Sequence, residues 1–143
     1  MECKLYPFGS LGGYKFVTIF AVHNSKWIFC KHKDRTTWEE AGGHIEVNEA
    51  PLEAAKRELF EETGAAHFDI EPICDYWVEG ELGGVYGNAH GQVFFANVHV
   101  LGEIPHYSEM EKVELFDDFP KELTHPEFVA EVFPMVGRMR GLK

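Results

Sequence analysis

Three glutamates in the middle of the chain, Glu58, Glu61 and Glu62, have the spacing of a carboxylate cluster on one helix. A helix turns by about 100° per residue, so the three side chains fall within an arc of about 100°, beside the apolar stripe. Like charges three and four residues apart each destabilise an isolated helix by about 0.2 to 0.5 kcal/mol, so they need solvent, an arginine or a cation. Arg57 precedes Glu61 by one helical turn and is placed to pair with it.

The ligand chemistry of this cluster favours a hard divalent cation. Carboxylate oxygens without a histidine or cysteine at the same place suit Mg²⁺ or Mn²⁺ better than zinc. Gly42 and Gly43 precede the helix and let the backbone approach a ligand closely, and a carbonyl there could complete the coordination. His44 is placed to contact a substrate, although a surface histidine would look the same in the sequence. The alternative for the whole cluster is a solvated acidic helix.

The helix that carries these glutamates is predicted over residues 50–63. Pro51 suits its first turn, and Gly64 suits the position that follows its last turn. Apolar residues at helical spacing predict its buried face, and these are Leu52, Ala55 and Leu59.

Segments rich in β-branched and aromatic residues predict the strands. They are residues 15–23, 27–31, 68–77, 92–101 and 113–116. Segment 39–46 contains the glycine pair and is predicted to break any regular element. Apolar spacings of three and four residues predict a second helix within residues 125–139. Strands interleaved with two helices, without a regular βαβ alternation, predict an α/β fold with a mixed sheet and helices on its faces.

The length and charge of the chain limit its function classes. Its 143 residues suit one domain over residues 1–143. Lys and Arg number 13 against 24 Asp and Glu, so the net charge is −11 and a nucleic acid polymer is disfavoured as a partner. No segment approaches the roughly 18 uninterrupted apolar residues of a membrane span, and the first residues lack a secretory signal, so no membrane partner is expected.

The cysteines and histidines argue against a disulfide framework and a zinc site. Cys3, Cys30 and Cys74 are odd in number and scattered, which favours free thiols and a cytoplasmic location. The eight histidines form no pattern with zinc-ligand spacing. His90, in a glycine-flanked stretch, is expected in a loop.

Several aromatic residues could stack on a nucleobase, although aromatic residues at strand spacing more often belong to a core. The candidates are Trp27, Trp38, Trp77, Phe94 and Phe95.

The complete spacing of segment 43–65 resembles the Nudix box, Gx5Ex7REUxEExGU, in which U is a bulky aliphatic residue. The positions are filled by Gly43, Glu49, Arg57, Glu58, Leu59, Glu61, Glu62, Gly64 and Ala65. Ala65 is smaller than the usual residue, and Ala41 stands where many family members have proline before the two glycines. The resemblance implies an α/β/α sandwich and the hydrolysis of a nucleoside diphosphate linked to another moiety.

The resemblance also implies roles for individual residues. Mg²⁺, for which Mn²⁺ can substitute, is expected to be bound by Glu58, Glu61, Glu62 and the carbonyl of Gly42. Glu58, Glu61 and Arg57 are expected to take part in catalysis, with Arg57 orienting the carboxylates. Gly43 and His44 are expected to bind substrate. Glu49 resembles a group that steadies the helix and the ligands, and an exposed acid near a helix N-terminus is the alternative.

A further glutamate after the box serves many family members as general base, and segment 109–116 resembles that part of the family. Glu109 is the better-placed candidate and Glu111 the next. A solvated acidic loop is the alternative. To act as the base, a loop carboxylate must come within hydrogen-bonding distance of the water molecule that attacks phosphorus.

The substrate implied by the resemblance to the MutT-like branch is a nucleoside triphosphate, including oxidised purine forms, cleaved to the monophosphate and pyrophosphate. ADP-ribose or another nucleotide sugar is the first alternative. A nucleotide-sensing domain without catalysis, a dinucleotide alarmone hydrolase and an isoprenoid-diphosphate isomerase stay open, as does a homodimer.

Overall fold

The computed structural model describes residues 1–82 and 84–142, and within them eight strands form one sheet flanked by two α-helices. The strands are β1 (Glu2–Tyr6), β2 (Tyr14–His23), β3 (Lys26–His32), β4 (Trp38–Glu39), β5 (Ala41–His44), β6 (Ala65–Leu82), β7 (Val85–Leu101) and β8 (Met110–Phe116). The helices are α1 (Pro51–Thr63) and α2 (Pro126–Val136), and a 3₁₀ helix follows over Gly137–Leu142. No helix in the described part of the chain is long and apolar enough to cross a membrane.

The sheet is mixed. Strands β2 and β7 run parallel at its centre, β6 and β7 form a long antiparallel hairpin, and β1 pairs with β6. On its other side β2 pairs with β5 at its start and with β3 at its end, while β3 also pairs with β4 and β8. Antiparallel and parallel pairs in one sheet agree with the predicted topology class.

Alternation along β2 divides the core between the two faces of the sheet. Val17 and Ile19 pack with α1, whereas Phe20 and Val22 pack with α2. Successive side chains of a strand point to opposite faces, so one central strand supplies both layers. This arrangement confirms the predicted α/β/α sandwich.

Helix α1 begins at Pro51, one residue later than predicted, ends at Thr63 as predicted, and has a different buried stripe. The carboxylate of Glu53 accepts a hydrogen bond from the N–H of Ala50 (2.9 Å), and Gly64 ends the helix at φ 81°, a left-handed conformation that glycine adopts without strain. Ala55 and Leu59 are fully buried, as predicted. Leu52 is 42% exposed, so its prediction as a buried residue was wrong.

Three other predictions needed correction. Segment 39–46 does not break the regular structure: it contributes β4 and β5, because a pairing with β2 that is distant in sequence outweighs the local weakness of glycine. His90 lies within β7, not in a loop, and its ring Nδ1 lies 2.8 Å from the carbonyl of Gly12. The second helix stops at Val136, earlier than expected.

The loop between β1 and β2 is held by Asp75, a fully buried residue of β6. The two carboxylate oxygens accept four hydrogen bonds of 2.5 to 2.9 Å. The donors are Gly9 N–H, Leu11 N–H, the hydroxyl of Tyr14 and the amide of Gln92. Asp75 therefore fastens residues 9–14 to the sheet.

The three cysteines are free thiols, as expected from the sequence. Cys30 and Cys74 are fully buried and Cys3 is half-buried. Burial raises the pKa of the Cys74 thiol to about 12, so this side chain behaves as a neutral core residue.

Candidate active site

A pocket of about 470 Å³ collects the candidate residues between β5, α1 and the segment that precedes β8. Its lining consists of Gly42, Gly43, His44, Glu46, Arg57, Glu58, Glu61, Glu62, Tyr107, Ser108 and Glu109. Every residue predicted to bind metal or substrate or to act in catalysis lies on this wall. The pocket also contains residues that the sequence did not single out, which are Glu46, Tyr107 and Ser108.

The glycine pair lets α1 lie directly against β5. A Cβ atom on Gly43 would come within 1.6 Å of Glu58 Oε2, and one on Gly42 would come within 2.5 Å of the Val17 carbonyl oxygen. The Val17 oxygen belongs to the backbone and cannot move away, so Gly42 is required, whereas a side chain in place of Gly43 would force the Glu58 carboxylate to move. The N–H of Gly42 donates a hydrogen bond to Glu62 Oε1 at 3.0 Å, while the role of the Gly42 carbonyl as a ligand stays a prediction.

The Arg57 guanidinium donates hydrogen bonds to three carboxylates and to one backbone carbonyl. It donates from Nε and Nη2 to the two carboxylate oxygens of Glu49 (2.7 and 3.0 Å), a bidentate pair. Its Nη1 donates to Glu58 (2.9 Å) and to Glu61 (3.1 Å), and its Nη2 also reaches the carbonyl of His44 (3.1 Å). The predicted pairing of Arg57 with Glu61 is therefore present, and Arg57 joins β5 to α1.

The hydrogen bonds to Arg57 shift the acid–base behaviour of Glu49. They hold the pKa of the Glu49 carboxyl below its ordinary value. The same contacts raise the pKa of the Arg57 guanidinium further above its already high value. Glu49 is therefore a permanent anion that anchors Arg57, which agrees with its predicted supporting role.

The pKa values of Glu58 and Glu62 shift in the opposite direction, above their ordinary values. Burial raises the pKa of Glu62 to about 9, against the lowering effect of the Gly42 N–H, and the charges of Glu58, Glu39 and Glu109 raise it further. Burial is also the first cause that raises the pKa of Glu58, and the neighbouring Glu61 adds to it. Glu62 has no ion pair among the described residues, and Glu58 shares the positive charge of Arg57 with Glu49 and Glu61, so their ionised forms are short of positive charge.

The donor set suits a divalent cation, although the ligands are not arranged around one. Within residues 1–82 and 84–142, no three acidic, histidine or cysteine side chains form a ready metal group. The physical reason is that Arg57 holds Glu58 and Glu61, and Gly42 holds Glu62. A cation that replaced these contacts would meet carboxylate oxygens, the ligands that Mg²⁺ prefers.

A family model described as the NUDIX domain matches residues 15–134 of the chain. The chain belongs to the NUDIX family. This result confirms the resemblance inferred from the box, and the match extends over both helices and most of the sheet. Members of this family generally use divalent metal ions and act on small-molecule nucleotide substrates.

Two relatives in sequence are named a putative diphosphatase and a pyrophosphohydrolase. The chain is 32% identical over 110 residues to a protein of Bacillus subtilis named as a putative 8-oxo-dGTP diphosphatase, covering 77% of this chain and 66% of that protein. It is 31% identical over 91 residues to an RNA pyrophosphohydrolase of Bartonella henselae, covering 54% of this chain and 53% of the relative. The chain thus spans between half and two thirds of these relatives.

A solved structure shares the fold. The Bacillus subtilis pyrophosphohydrolase BsRppH superposes with a TM-score of 0.72 at 27% identity, over 83% of this chain and 73% of that one. The sandwich described above is therefore the NUDIX architecture.

Glu109 lines the pocket from the segment that precedes β8. Its side chain is 81% exposed, and its Oε2 lies 3.3 Å from Nε2 of His32. Glu111 lies outside the pocket lining given by the described residues and pairs with Lys31 at 2.6 Å. Of the two candidate bases, Glu109 is the one that lines the pocket, and its role as a base stays a prediction.

The aromatic residues proposed as base-stacking platforms do not line this pocket. Trp27, Phe94 and Phe95 are buried in the core, because both faces of the sheet are covered: Trp27 and Phe95 pack on the α2 side and Phe94 packs on the α1 side. Trp38 and Trp77 are half-buried and lie elsewhere on the sheet. Tyr107, 59% exposed, is an aromatic residue of the pocket itself, and no periodicity in its loop could have identified it.

Proposed function

We propose that this NUDIX protein is an Mg²⁺-dependent pyrophosphohydrolase that cleaves a nucleoside triphosphate, including oxidised purine forms, to the monophosphate and pyrophosphate. The observation that carries the proposal is the convergence of Glu58, Glu61 and Glu62 with Arg57 on one pocket that Glu109 faces from the other side. A diphosphate repels an anionic site, so the carboxylates can serve this substrate when a cation stands between them.

The metal is assigned to Glu58, Glu61, Glu62 and the carbonyl of Gly42. Bound there, Mg²⁺, or Mn²⁺ in its place, supplies neutralisation of the diphosphate charge and activation of water. The chain's own part begins with Gly43 and His44, which form the wall against which the phosphates lie.

Arg57 and Glu109 complete the roles. When a cation takes over Glu58 and Glu61, Arg57 keeps its bidentate pair with Glu49 and its hydrogen bond to the His44 carbonyl, and the latter continues to hold α1 against β5. Glu109 accepts a proton from the water that attacks phosphorus, since it is exposed to the pocket and free of an ion pair with lysine or arginine among the described residues.

The name of the Bacillus subtilis relative supports a nucleoside triphosphate, since that protein is a putative 8-oxo-dGTP diphosphatase. A single catalytic domain over residues 1–143 and a cytoplasmic location belong to the same proposal. A second candidate is the removal of pyrophosphate from an RNA 5′ end, because two relatives are named RNA pyrophosphohydrolases. The net charge of −11 disfavours it, since RNA phosphates attract basic surfaces.

A substrate panel with product analysis tests the proposal. Purified protein with Mg²⁺ is offered normal and oxidised nucleoside triphosphates, ADP-ribose and a 5′-triphosphorylated RNA. We expect pyrophosphate and the nucleoside monophosphate from the triphosphates. AMP and ribose phosphate from ADP-ribose would move the assignment to nucleotide sugars, and pyrophosphate from RNA alone would favour the second candidate. Nucleotide binding without cleavage at any Mg²⁺ concentration would indicate a sensor.

A further inference from the structure

The end of β3 makes a series of contacts with the candidate base. Nε2 of His32 lies 3.3 Å from Oε2 of Glu109, and the N–H of Lys33 donates to the Glu109 carbonyl at 3.1 Å. The N–H of Asp34 donates to Nδ1 of His32 at 3.0 Å. His32 is thus held at one ring nitrogen by the backbone and contacts Glu109 with the other.

These contacts define which ring nitrogen carries the proton. Because Nδ1 of His32 accepts a hydrogen bond from a backbone N–H, that nitrogen has a free lone pair. In the neutral ring the proton is therefore on Nε2, which faces the carboxylate of Glu109 and donates to it. The Asp34 N–H fixes both the tautomer and the orientation of the ring.

A β-bulge lies at the same place. Lys31 pairs with Lys112, and the next residue, His32, pairs with Met110, so Glu111 is an extra residue in β8. A bulge bends its strand and changes the direction of the side chains beyond it. Glu109 immediately precedes the first residue of β8, on the N-terminal side of this bulge, and lines the pocket.

We propose that His32 is a positioning residue for Glu109: it donates from Nε2 to one carboxylate oxygen and leaves the other oxygen to face the attacking water. The side chain of Glu109 is 81% exposed and would otherwise sample many rotamers, whereas that of His32 is 17% exposed and fixed by Asp34. A carboxylate held in the reactive orientation is in position to accept a proton more of the time than one that samples many rotamers. This role rests on the proposed function, in which Glu109 is the base.

A double-mutant cycle with a conservative rescue tests the role. His32→Ala removes the donor, whereas the side-chain amide of His32→Gln can accept from Asp34 and donate to Glu109. We expect His32→Ala to lower kcat about tenfold with little change in KM, and His32→Gln to recover most of the loss. Glu109→Gln should lower kcat by about 10² to 10⁴, and adding His32→Ala to it should cost nothing more. Glu111→Gln, outside the pocket, is the matched control.

Imidazole ¹⁵N NMR supplies a readout that does not depend on turnover. We expect His32 to show a protonated Nε2 and an unprotonated Nδ1, with the Nε2 signal shifted by Glu109→Gln and unchanged by Glu111→Gln. The opposite tautomer, or multiplicative losses of kcat in the double mutant, would overturn the positioning role while leaving hydrolysis in place. Absence of hydrolysis by the wild-type protein would overturn the proposed function and this role with it.

Discussion

Asp75 on β6 is a fully buried carboxylate and Glu62 on α1 a partly buried one, and their pKa values shift in opposite directions. Burial raises the pKa of Asp75, but its hydrogen bonds outweigh that effect and hold the pKa below its ordinary value. They come from Tyr14, Gly9, Leu11 and Gln92. Asp75 is thus a stable anion whose partners all belong to the protein.

Glu62 has one such partner. The N–H of Gly42 donates to it, and burial together with the charge of Glu58 raises its pKa to about 9. Arg57, the nearby cation, is directed to Glu58, Glu61 and Glu49 instead. The ionised form of Glu62 therefore needs a positive charge that residues 1–82 and 84–139 do not supply.

The difference separates a structural carboxylate from one reserved for a ligand. A carboxylate that accepts several hydrogen bonds stays ionised and holds a loop in place. A carboxyl group with few donors is unfavourable in its ionised form unless a cation binds it. Changing each residue to its amide tests this distinction, because the amide keeps the shape and removes the charge.

The largest effect is expected for Glu62→Gln. Turnover should fall by several orders of magnitude with the fold intact, because the substitution removes a principal ligand and its charge but little volume. Rates measured beside circular dichroism, with Glu111→Gln as control, check this outcome. A folded Glu62→Gln protein with near wild-type turnover would remove Glu62 from the site.

Asp75→Asn should instead lower the free energy of unfolding, by about 3 kcal/mol, because an amide nitrogen would face donors that Asp75 now satisfies. Urea titration measures the loss. Asp69→Asn on the same strand is the matched control, since the Asp69 side chain is 78% exposed. Equal stabilities for the two variants would show that the four hydrogen bonds of Asp75 do not hold the loop.

The sequence predicted Glu62 but not Asp75, for a physical reason. The glutamates of α1 lie on one helix, so their spacing along the chain sets their positions in space. Asp75 acquires its role from Gly9 and Leu11, which are more than 60 residues away in sequence. No local pattern records such a contact.

The same distinction explains the rest of the fold. The mixed sheet with helices on its faces, α1 and the central strands follow from local periodicity and were predicted from it, whereas the α/β/α sandwich was implied by the resemblance to the Nudix box. Strands β4 and β5 depend on pairing with β3 and β2, and the direction of Glu109 depends on a bulge opposite His32. Tyr107 and Ser108 enter the pocket through the course of a loop, which composition does not determine.

The pH dependence of stability should distinguish the two carboxylates again. The pKa of Glu62 is raised on folding to about 9 from an ordinary 4.5, so its favourable contribution is complete below pH 4.5 and is lost as the pH rises towards 9. The pKa of Asp75 is lowered on folding, so its contribution is present above pH 3.8 and is lost in more acidic solution.

Urea titrations of the metal-free protein across pH 2 to 9 check both windows. We expect stability to fall with rising pH in the wild type and to fall less in Glu62→Gln. Asp75→Asn should keep the alkaline decline and lose part of the acidic one. The same alkaline slope in wild type and Glu62→Gln would place the titration elsewhere.

The smallest effect is expected for the metal itself. Mg²⁺ that binds the native state raises the melting temperature by mass action, and a concentration of ten times Kd should raise it by about 3 to 6 °C. NaCl of matched ionic strength should raise it less, because screening weakens repulsion among Glu58, Glu61 and Glu62 without giving them a partner. Glu61→Gln should reduce the Mg²⁺ increment, whereas Asp75→Asn should lower the melting temperature and leave that increment unchanged. Equal shifts with both salts would mean that the cluster is a solvated acidic surface, and the contrast between Glu62 and Asp75 would then reflect their different hydrogen-bond donors and not a cation site.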